Sequence, residues 1–175
     1  MQLETPAPDE FPVHASRYVS LVAAPIEPIH ALQDQRETFA RLIAGVSESR
    51  GAFRYADGKW SVKEVVGHVS DSERVFAYRL LRVARGDKTS LPGFDQDVLN
   101  QGAHFASQQL SAILEDWMLV RAATISLVHS LQDADWDRRG TASQASVSPR
   151  GLLFMILGHV EHHRSEEHTS ELQSH

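Results

Sequence analysis

The amino-acid sequence predicts an all-α protein built as one four-helix bundle, and three observations lead to this prediction. The chain has 175 residues, the size of a single domain, and its 42% apolar and 23% charged residues are typical of a globular protein. Four stretches repeat apolar residues near the 3.6-residue period of an amphipathic helix. Residues that favour helix ends flank these stretches, and four such helices can bury their apolar faces against one another.

The chain begins with a segment that carries little helical period. Residues 1–25 hold four of the seven prolines, so we expect an extended N-terminal segment on the surface of the domain. The first predicted helix starts after it, at Ile26, and Pro28 is well placed for its first turn. Its apolar residues recur close to the helical period at Ile29, Leu32, Phe39, Leu42, Ile43 and Val46.

The second predicted helix has the clearest start. From Ser61 to Glu64 the sequence fits a capping box, in which the serine hydroxyl accepts from the backbone amide three residues on and the glutamate carboxylate reaches back. We expect this helix to run from residue 62 to Arg85, because Gly86 is a typical residue just beyond a helix end.

Two long polar connections separate the remaining helices. The first, residues 87–107, contains one short predicted helix from Asp95 to Gln101. The third helix follows, with an apolar stripe from Leu110 to Leu131. The second connection ends at Ser148, a serine cap followed by Pro149 at the first position of the fourth helix.

Composition argues against several classes of protein. The sequence has no cysteine, which excludes disulfides, thiolate metal ligands and a cysteine nucleophile. It has no apolar run of the roughly 20 residues that a membrane helix needs, and the start MQLETPAPDEF lacks the features of a signal peptide. A net charge of -6 without a basic patch argues against nucleic-acid binding. We therefore expect a cytoplasmic protein that binds neither membranes nor nucleic acids.

Three histidines take positions that the helical period assigns to the core. His68 shares a face of the second helix with Val75 and Phe76. On the fourth helix, His159 continues the apolar stripe, and His163 lies about 40° round and roughly 6 Å further along the axis. Imidazoles at i and i+4 can bind one metal ion, and a third ligand from another helix leaves open positions for water or substrate.

His162 is an alternative partner for His159, at i+3. It lies about 100° round the helix from His163, so these two side chains cannot both point at one ion. We favour the i, i+4 pair and expect His162 toward the rim of the site or behind the ligands. A single inward histidine is more often a hydrogen-bonded core residue. Three buried imidazoles without partners, however, would each cost on the order of 1 to 3 kcal/mol, which metal binding would offset.

The stretch KWSVKEVVGHVSDSERVFAYR, together with GHVEHH on the fourth helix, resembles the DinB-like superfamily, which includes YfiT-type metalloenzymes and bacillithiol transferases. The resemblance spans roughly residues 18–163. Members are four-helix bundles that bind a divalent ion, often nickel or zinc, through one histidine on the second helix and an H-x-x-x-H pair on the last. The resemblance therefore implies His68, His159 and His163 as the metal ligands.

Some members of the superfamily transfer small thiols such as bacillithiol, mycothiol or glutathione. The resemblance thus implies a metal-dependent transferase whose partners are a small-molecule thiol and an electrophilic substrate. An open metal site can bind an external thiolate and lower its pKa, and this chain has no cysteine to compete. A metal-dependent hydrolase is the alternative among enzymes, and a non-catalytic, stress-related bundle protein is the alternative outside them. The resemblance also allows for a homodimer.

Acidic residues near the predicted ligands are candidates for proton transfer. Asp71, one turn after His68, is the predicted catalytic residue, as a base or as a partner of a ligand. Asp95 and Asp97, in the long connection, are alternatives, although exposed loop carboxylates more often only interact with water.

Three arginines are candidates for binding a substrate carboxylate, namely Arg74, Arg79 and Arg121. The ordinary alternative is that they pair with acids such as Glu73 or Glu115 on the surface of the bundle, and this alternative is the one we expect.

The last part of the chain differs in character from the fourth helix. RSEEHTSELQSH, residues 164–175, is the in-frame translation of a widely used short-read sequencing adapter. We expect this segment to be non-native and the bundle to occupy residues 26–163, with the fourth helix truncated relative to the family. His168 and His175 are accordingly left out of the predicted metal site. Resequencing the source locus across codon 163 tests this expectation.

Overall fold

The structure, a computed structural model, describes residues 1–54 and 56–172, and from residue 166 onward the backbone alone. His168 and His175 therefore lie outside the described side chains. The described chain forms three short 3-10 helices, one two-stranded antiparallel sheet and seven α-helices. These are α1 (Ser16–Val19), α2 (Pro28–Ala44), α3 (Glu48–Gly51), α4 (Val62–Ala84), α5 (Gln96–Ala103), α6 (Leu110–His129) and α7 (Pro149–Leu172), with strands β1 (Gly140–Ala142) and β2 (Ala145–Val147).

Four long helices make the bundle, which confirms the predicted all-α fold. Helix α4 packs against α6 and α7, and α2 packs against the same two helices. Two apolar clusters fill the interior, one around Leu80 and Leu153 and the other around Phe39 and Trp117. Among the described helices, none is both long enough and apolar enough to span a membrane. Because α4 lies between α6 and α7, its side chains reach both interfaces.

The helix ends follow the residues that predicted them. In α4, the Ser61 hydroxyl accepts from the Glu64 amide, and the Glu64 carboxylate accepts from the Ser61 amide at 2.7 Å. Gly86 follows this helix with a φ of 83°, a left-handed conformation that glycine adopts without strain. Asp95 caps α5 by accepting from two amides, and Ser148 caps α7 by accepting from the Gly151 amide at 2.9 Å.

The N-terminal segment lies closer to the core than we expected from its prolines. It contains α1, which packs against α7, and it contributes the buried side chains of Leu3, Ala15, Tyr18 and Val19. The close approach depends on small residues in α7. A Cβ atom at Gly158 would lie 2.0 Å from the Tyr18 carbonyl oxygen, and one at Gly151 would lie 2.1 Å from the Glu10 carbonyl oxygen.

Glu10 ties this segment to the start of α7. Its side chain is 1% exposed and accepts hydrogen bonds from the Ser148 hydroxyl at 2.5 Å and from the Arg150 guanidinium at 2.7 Å. Burial alone would raise the pKa of Glu10, but hydrogen bonds from Arg150, Ser148 and the Ala7 amide lower it below its usual value. The carboxylate is thus held in its charged form at the helix N-terminus, where the helix dipole also favours it.

Arg121 and Glu73 form an ion pair inside the bundle, which corrects the expectation of a surface pair. Both side chains are at most 2% exposed, and two N–H groups of Arg121 donate to the two Glu73 oxygens at 2.7 and 2.9 Å. Arg121 also donates to Gln35 at 2.9 Å, and Gln35 donates to the Leu157 carbonyl. The pair is buried because the long side chains of α4 and α6 meet between the helices, where each charge has a partner.

The sequence did not indicate the hairpin formed by β1 and β2. Its turn residues, Ser143 and Gln144, both have positive φ angles, of 51° and 64°. Such a turn usually contains glycine or asparagine, so the segment resembled an ordinary polar connection.

Candidate metal centre

The structure brings His68, His159 and His163 together between α4 and α7. All three side chains are buried, at 5%, 4% and 8% exposure. The Nε2 atom of His159 lies 3.0 Å from that of His68 and 3.2 Å from that of His163. One ligand atom from each of the three residues lies within 4.8 Å of the others. A search of the described residues for histidine and acidic side chains with the spacing of a metal site finds these three histidines.

Two of the three distances between the ligand nitrogens fit a divalent cation. Metal–nitrogen bonds of 2.0–2.1 Å place two ligand atoms about 2.9 Å apart at a right angle and about 3.3 Å apart at a tetrahedral angle. The observed 3.0 and 3.2 Å fall between these values. The three rings are also steeply inclined to one another, with interplanar angles of 71°, 83° and 85°, as separate ligands around one point would be. The donor set is therefore suited to a divalent transition-metal ion.

His68 is held from two sides. Its Nδ1 atom lies 3.4 Å from the hydroxyl oxygen of Ser72, one turn further along α4. The Trp60 ring packs against the imidazole with a centroid distance of 4.8 Å. When Nδ1 carries the proton and donates to the Ser72 hydroxyl, the Nε2 lone pair is free for a metal.

His159 is enclosed by aromatic rings. Tyr18 of α1 packs edge-on at 5.1 Å between centroids, and Phe76 of α4 does so at 5.9 Å. Burial holds the pKa of His159 well below its usual range. Unfavourable charge interactions lower this pKa further, and they come from His163, His68, His162 and Arg17. The imidazole is thus neutral at neutral pH, which is the form that binds a metal.

His162 and Asp71 are not members of this group. The His162 ring is half-buried and contacts Tyr18 at 5.3 Å and His163 at 5.1 Å, which agrees with the expected place near the rim. Asp71 forms an ion pair with Arg74 at 3.2 Å, and Arg74 also binds Asp116 on α6 at 2.5 Å. Burial raises the pKa of Asp71 despite the charge of Arg74, with a further increase from Asp116.

The two alternative carboxylates do not join the histidines. Asp95 accepts from the amides of Asp97 and Val98 and so caps α5, and Asp97 is an exposed residue in the first turn of that helix. Asp71 thus stays the predicted catalytic residue.

Sequence reasoning missed the residues that hold the histidines. The sequence could have indicated Ser72, because it lies at i+4 from an inward histidine. Tyr18 and Trp60 were not, since both come from segments outside the long helices and reach the site only through tertiary packing.

Comparison with known proteins places this architecture in a family. The profile of the DinB superfamily matches residues 31–166, most of the chain. The chain belongs to the DinB superfamily. Among curated proteins, this member is similar to the "putative metal-dependent hydrolase" of Oceanobacillus iheyensis, with 21% identity over 145 residues that cover 79% of this chain and 82% of the relative.

Solved structures show the same fold. YfiT from Bacillus subtilis, described as "a probable metal-dependent hydrolase with an unusual four-helix bundle topology", matches with a TM-score of 0.76 and 15% identity, over 98% of this chain and 93% of YfiT. A mycothiol-dependent maleylpyruvate isomerase matches with a TM-score of 0.65 and 13% identity, over 78% of this DinB-superfamily chain and 57% of the isomerase. At these identities the similarity shows the fold alone.

Proposed function

We propose that this chain is a divalent-metal-dependent enzyme that transfers low-molecular-weight thiols to an electrophilic substrate. In this proposal, His68, His159 and His163 bind the metal, which is nickel or zinc. One observation carries it: three buried imidazoles converge on one point, and within the described residues no fourth protein ligand completes the group. Three protein ligands with an open position are typical of catalytic rather than structural metal sites.

The chemistry follows from the residues around that point. A divalent cation bound there would lower the pKa of a thiol or water and polarise an electrophile. Ser72 fixes the ring of His68 by its contact with Nδ1, while Tyr18 and Phe76 cover His159. These rings exclude water from one side of the site and strengthen electrostatic interactions there. Because the sequence has no cysteine, any thiolate bound at the metal must come from an external thiol.

Asp71 is the proposed proton acceptor. Its Oδ1 atom accepts from Arg74 at 3.2 Å, while Oδ2 makes no hydrogen bond with any residue that the structure describes. The raised pKa of the Asp71 carboxyl makes it a stronger base than an exposed aspartate. It is therefore suited to take a proton from a thiol or a water molecule.

Hydrolysis is the second candidate. The names of the O. iheyensis relative and of YfiT both refer to metal-dependent hydrolases, and the same open position and base suit an attacking water. A stress-related bundle protein without catalysis is the remaining alternative.

Metal content is the first measurement. Elemental mass spectrometry of purified wild type should find close to one nickel or zinc ion per chain, and His68→Ala should lose most of it. His162→Ala is the matched control, because this histidine lies on the same helix as two ligands but outside the group, and it should keep the metal. Retention of metal in His68→Ala would disprove the site.

Activity then separates the candidates. Metal-loaded protein is incubated with an electrophile and glutathione, bacillithiol or mycothiol, and free thiol is measured over time. The same protein is assayed on a panel of esters and amides without thiol. Metal-dependent thiol consumption supports transfer, hydrolysis without thiol supports the second candidate, and neither with the metal in place indicates the non-catalytic bundle.

A further inference from the structure

Arg79 differs from the other buried cations of the described chain. Lys63 and Arg121, at 5% and 0% exposure, each pair with a glutamate. Arg79 is 4% exposed, yet it forms no ion pair with any residue that the structure describes. Its nearest partners are neutral, and burial lowers the pKa of Arg79 without any opposing carboxylate. A guanidinium nevertheless stays protonated in proteins, so the bundle contains a buried positive charge that lacks a counter-charge.

The contacts of Arg79 use only part of its hydrogen-bonding capacity. Nη2 donates to the Pro92 carbonyl at 2.8 Å and to the Ser143 hydroxyl at 2.9 Å. The guanidinium carbon lies 5.5 Å from the centroid of the Phe94 ring. Within the described residues, Nε and Nη1 make no hydrogen bond, and neither is one of the fully enclosed polar atoms without a partner. The protein thus leaves these two donors unused, next to the loop residue Pro92, which is exposed.

Arg79 lies on the same side of the bundle as the candidate metal centre. It follows His68 by three turns of α4, about 20° round and about 16 Å along the axis. Aromatic rings connect the two places: Phe94 lies 6.1 Å from Phe76, and Phe76 lies 5.9 Å from His159. A small molecule with one end at the histidines would therefore meet aromatic rings along its length and a positive charge at its far end.

We infer that Arg79 binds a carboxylate of the small-molecule substrate whose reactive end lies at the three histidines. The inference rests on the proposed function and adds to it the chemical class of the substrate. A carboxylate would accept charge-assisted hydrogen bonds from Nε or Nη1 and supply the missing counter-charge. Phe94 and Phe76 would contact the apolar part of the same molecule.

A purely structural role accounts for less of the geometry. Holding Pro92 and Ser143 requires the two hydrogens on Nη2, which a neutral side-chain amide can also provide. A buried charge costs more than a neutral donor, and in a purely structural role only the contact with the Phe94 ring offsets that cost. A bound anion would offset it further by supplying a counter-charge.

The test uses ω-mercaptoalkanoic acids of increasing chain length, each compared with its methyl ester. The protein is loaded with cobalt(II), and binding of the thiol is followed by the thiolate-to-cobalt absorption band. In wild type we expect the longer acids to bind about 10- to 100-fold more tightly than their esters, as a charged hydrogen bond would give. Arg79→Gln should remove this preference and leave the affinity of the esters unchanged within about twofold.

The control variant is Arg85→Gln. Arg85 is exposed at the end of the same helix, where it donates to Ser130, and its loss should keep the preference for the acid. Equal affinity of acid and ester at every length in wild type, or a preference that survives Arg79→Gln, would overturn the inference. Equal affinity of acid and ester in wild type would overturn the inference even if Arg79→Gln does not fold. Arg79→Lys, which keeps the charge, should retain part of the preference for the acid.

Failure of the proposed function gives a different result. If no thiol produces the absorption band, thiol binding at the metal is ruled out. The longest acid and its ester are then titrated calorimetrically into metal-free wild type and Arg79→Gln. A preference for the acid that requires Arg79 still supports the carboxylate site, and no preference overturns it.

Discussion

The Nε2 atoms of His68 and His159 lie 3.0 Å apart, although 91 positions separate the two residues in the chain. Each imidazole points inward from its own helix, and the packing of α4 against α7 brings them together. His163 joins them from the same helix as His159. The candidate metal centre thus depends on the register between two helices, and a change in that register should weaken metal binding before it changes helix content.

Ser72→Ala tests the support of His68. The change removes the hydroxyl that lies 3.4 Å from Nδ1, so the ring loses a contact that fixes its orientation. Loss of such a partner typically lowers metal affinity about 10- to 100-fold. Competition with a chromophoric chelator measures the affinity. Ser70→Ala is the matched control, because Ser70 is also buried in α4 but donates a hydrogen bond to Asp116 on α6. This variant should bind metal with the same affinity as wild type.

Gly158→Ala tests the close contact between α1 and α7. The new methyl group would lie 2.0 Å from the backbone oxygen of Tyr18, so α1 must move away from His159. We expect a loss of about 1 to 3 kcal/mol in the free energy of unfolding, together with weaker metal binding. Urea denaturation measures the stability.

The control for this change is Gly102→Ala. Gly102 lies in α5, and no heavy atom lies within 4 Å of an added Cβ there, so alanine should stabilise the protein by about 0.5 to 1 kcal/mol. Unchanged stability in Gly158→Ala would show that the N-terminal segment does not pack on α7 as described.

The features that could be predicted are those formed by residues close together in the sequence. The start of α4 follows from Ser61 and Glu64, three residues apart, and the inward faces of the helices follow from their periods. These are local rules. The meeting of the three histidines was predictable because two of them share one helix and the third had to come from another.

Contacts between distant segments could not be predicted in the same way. The burial of Arg121 against Glu73 depends on the facing of α4 and α6, which a helical period does not give. Tyr18 reaches His159 only because Gly158 leaves room for its backbone. The hairpin remained hidden because Ser143 and Gln144 adopt positive φ angles that neither residue type indicates.

Glu10→Gln tests the tie between the N-terminal segment and α7. The amide cannot accept charged hydrogen bonds from Arg150 as the carboxylate does, so we expect a loss of about 1.5 to 3 kcal/mol at neutral pH. The folded state holds the pKa of Glu10 below its value in the unfolded chain, so this stability is present above about pH 4.5 and is lost as the pH falls through the lower pKa.

Urea denaturation across this pH range measures both effects. The difference between wild type and Glu10→Gln should shrink from about pH 5 downward. Glu37→Gln, at an exposed position of α2, should stay within about 0.5 kcal/mol of wild type at every pH. A difference that grows on acidification would contradict the charged, bonded state of Glu10.

Asp71→Asn tests the proposed base without removing a metal ligand. The amide cannot accept a proton, so metal content should stay at the wild-type level while kcat falls by about 10²- to 10⁴-fold in whichever of the two assays the wild type shows activity. A base acts only when deprotonated, so the wild-type kcat/KM should rise with pH through the pKa of Asp71. Burial raises this pKa above its usual 3.8. The rise in kcat/KM should be absent in the variant. Asp116→Asn is the control, since Asp116 binds the same Arg74 from α6. Equal losses in both variants would indicate that the ion-pair network, rather than proton transfer by Asp71, supports activity.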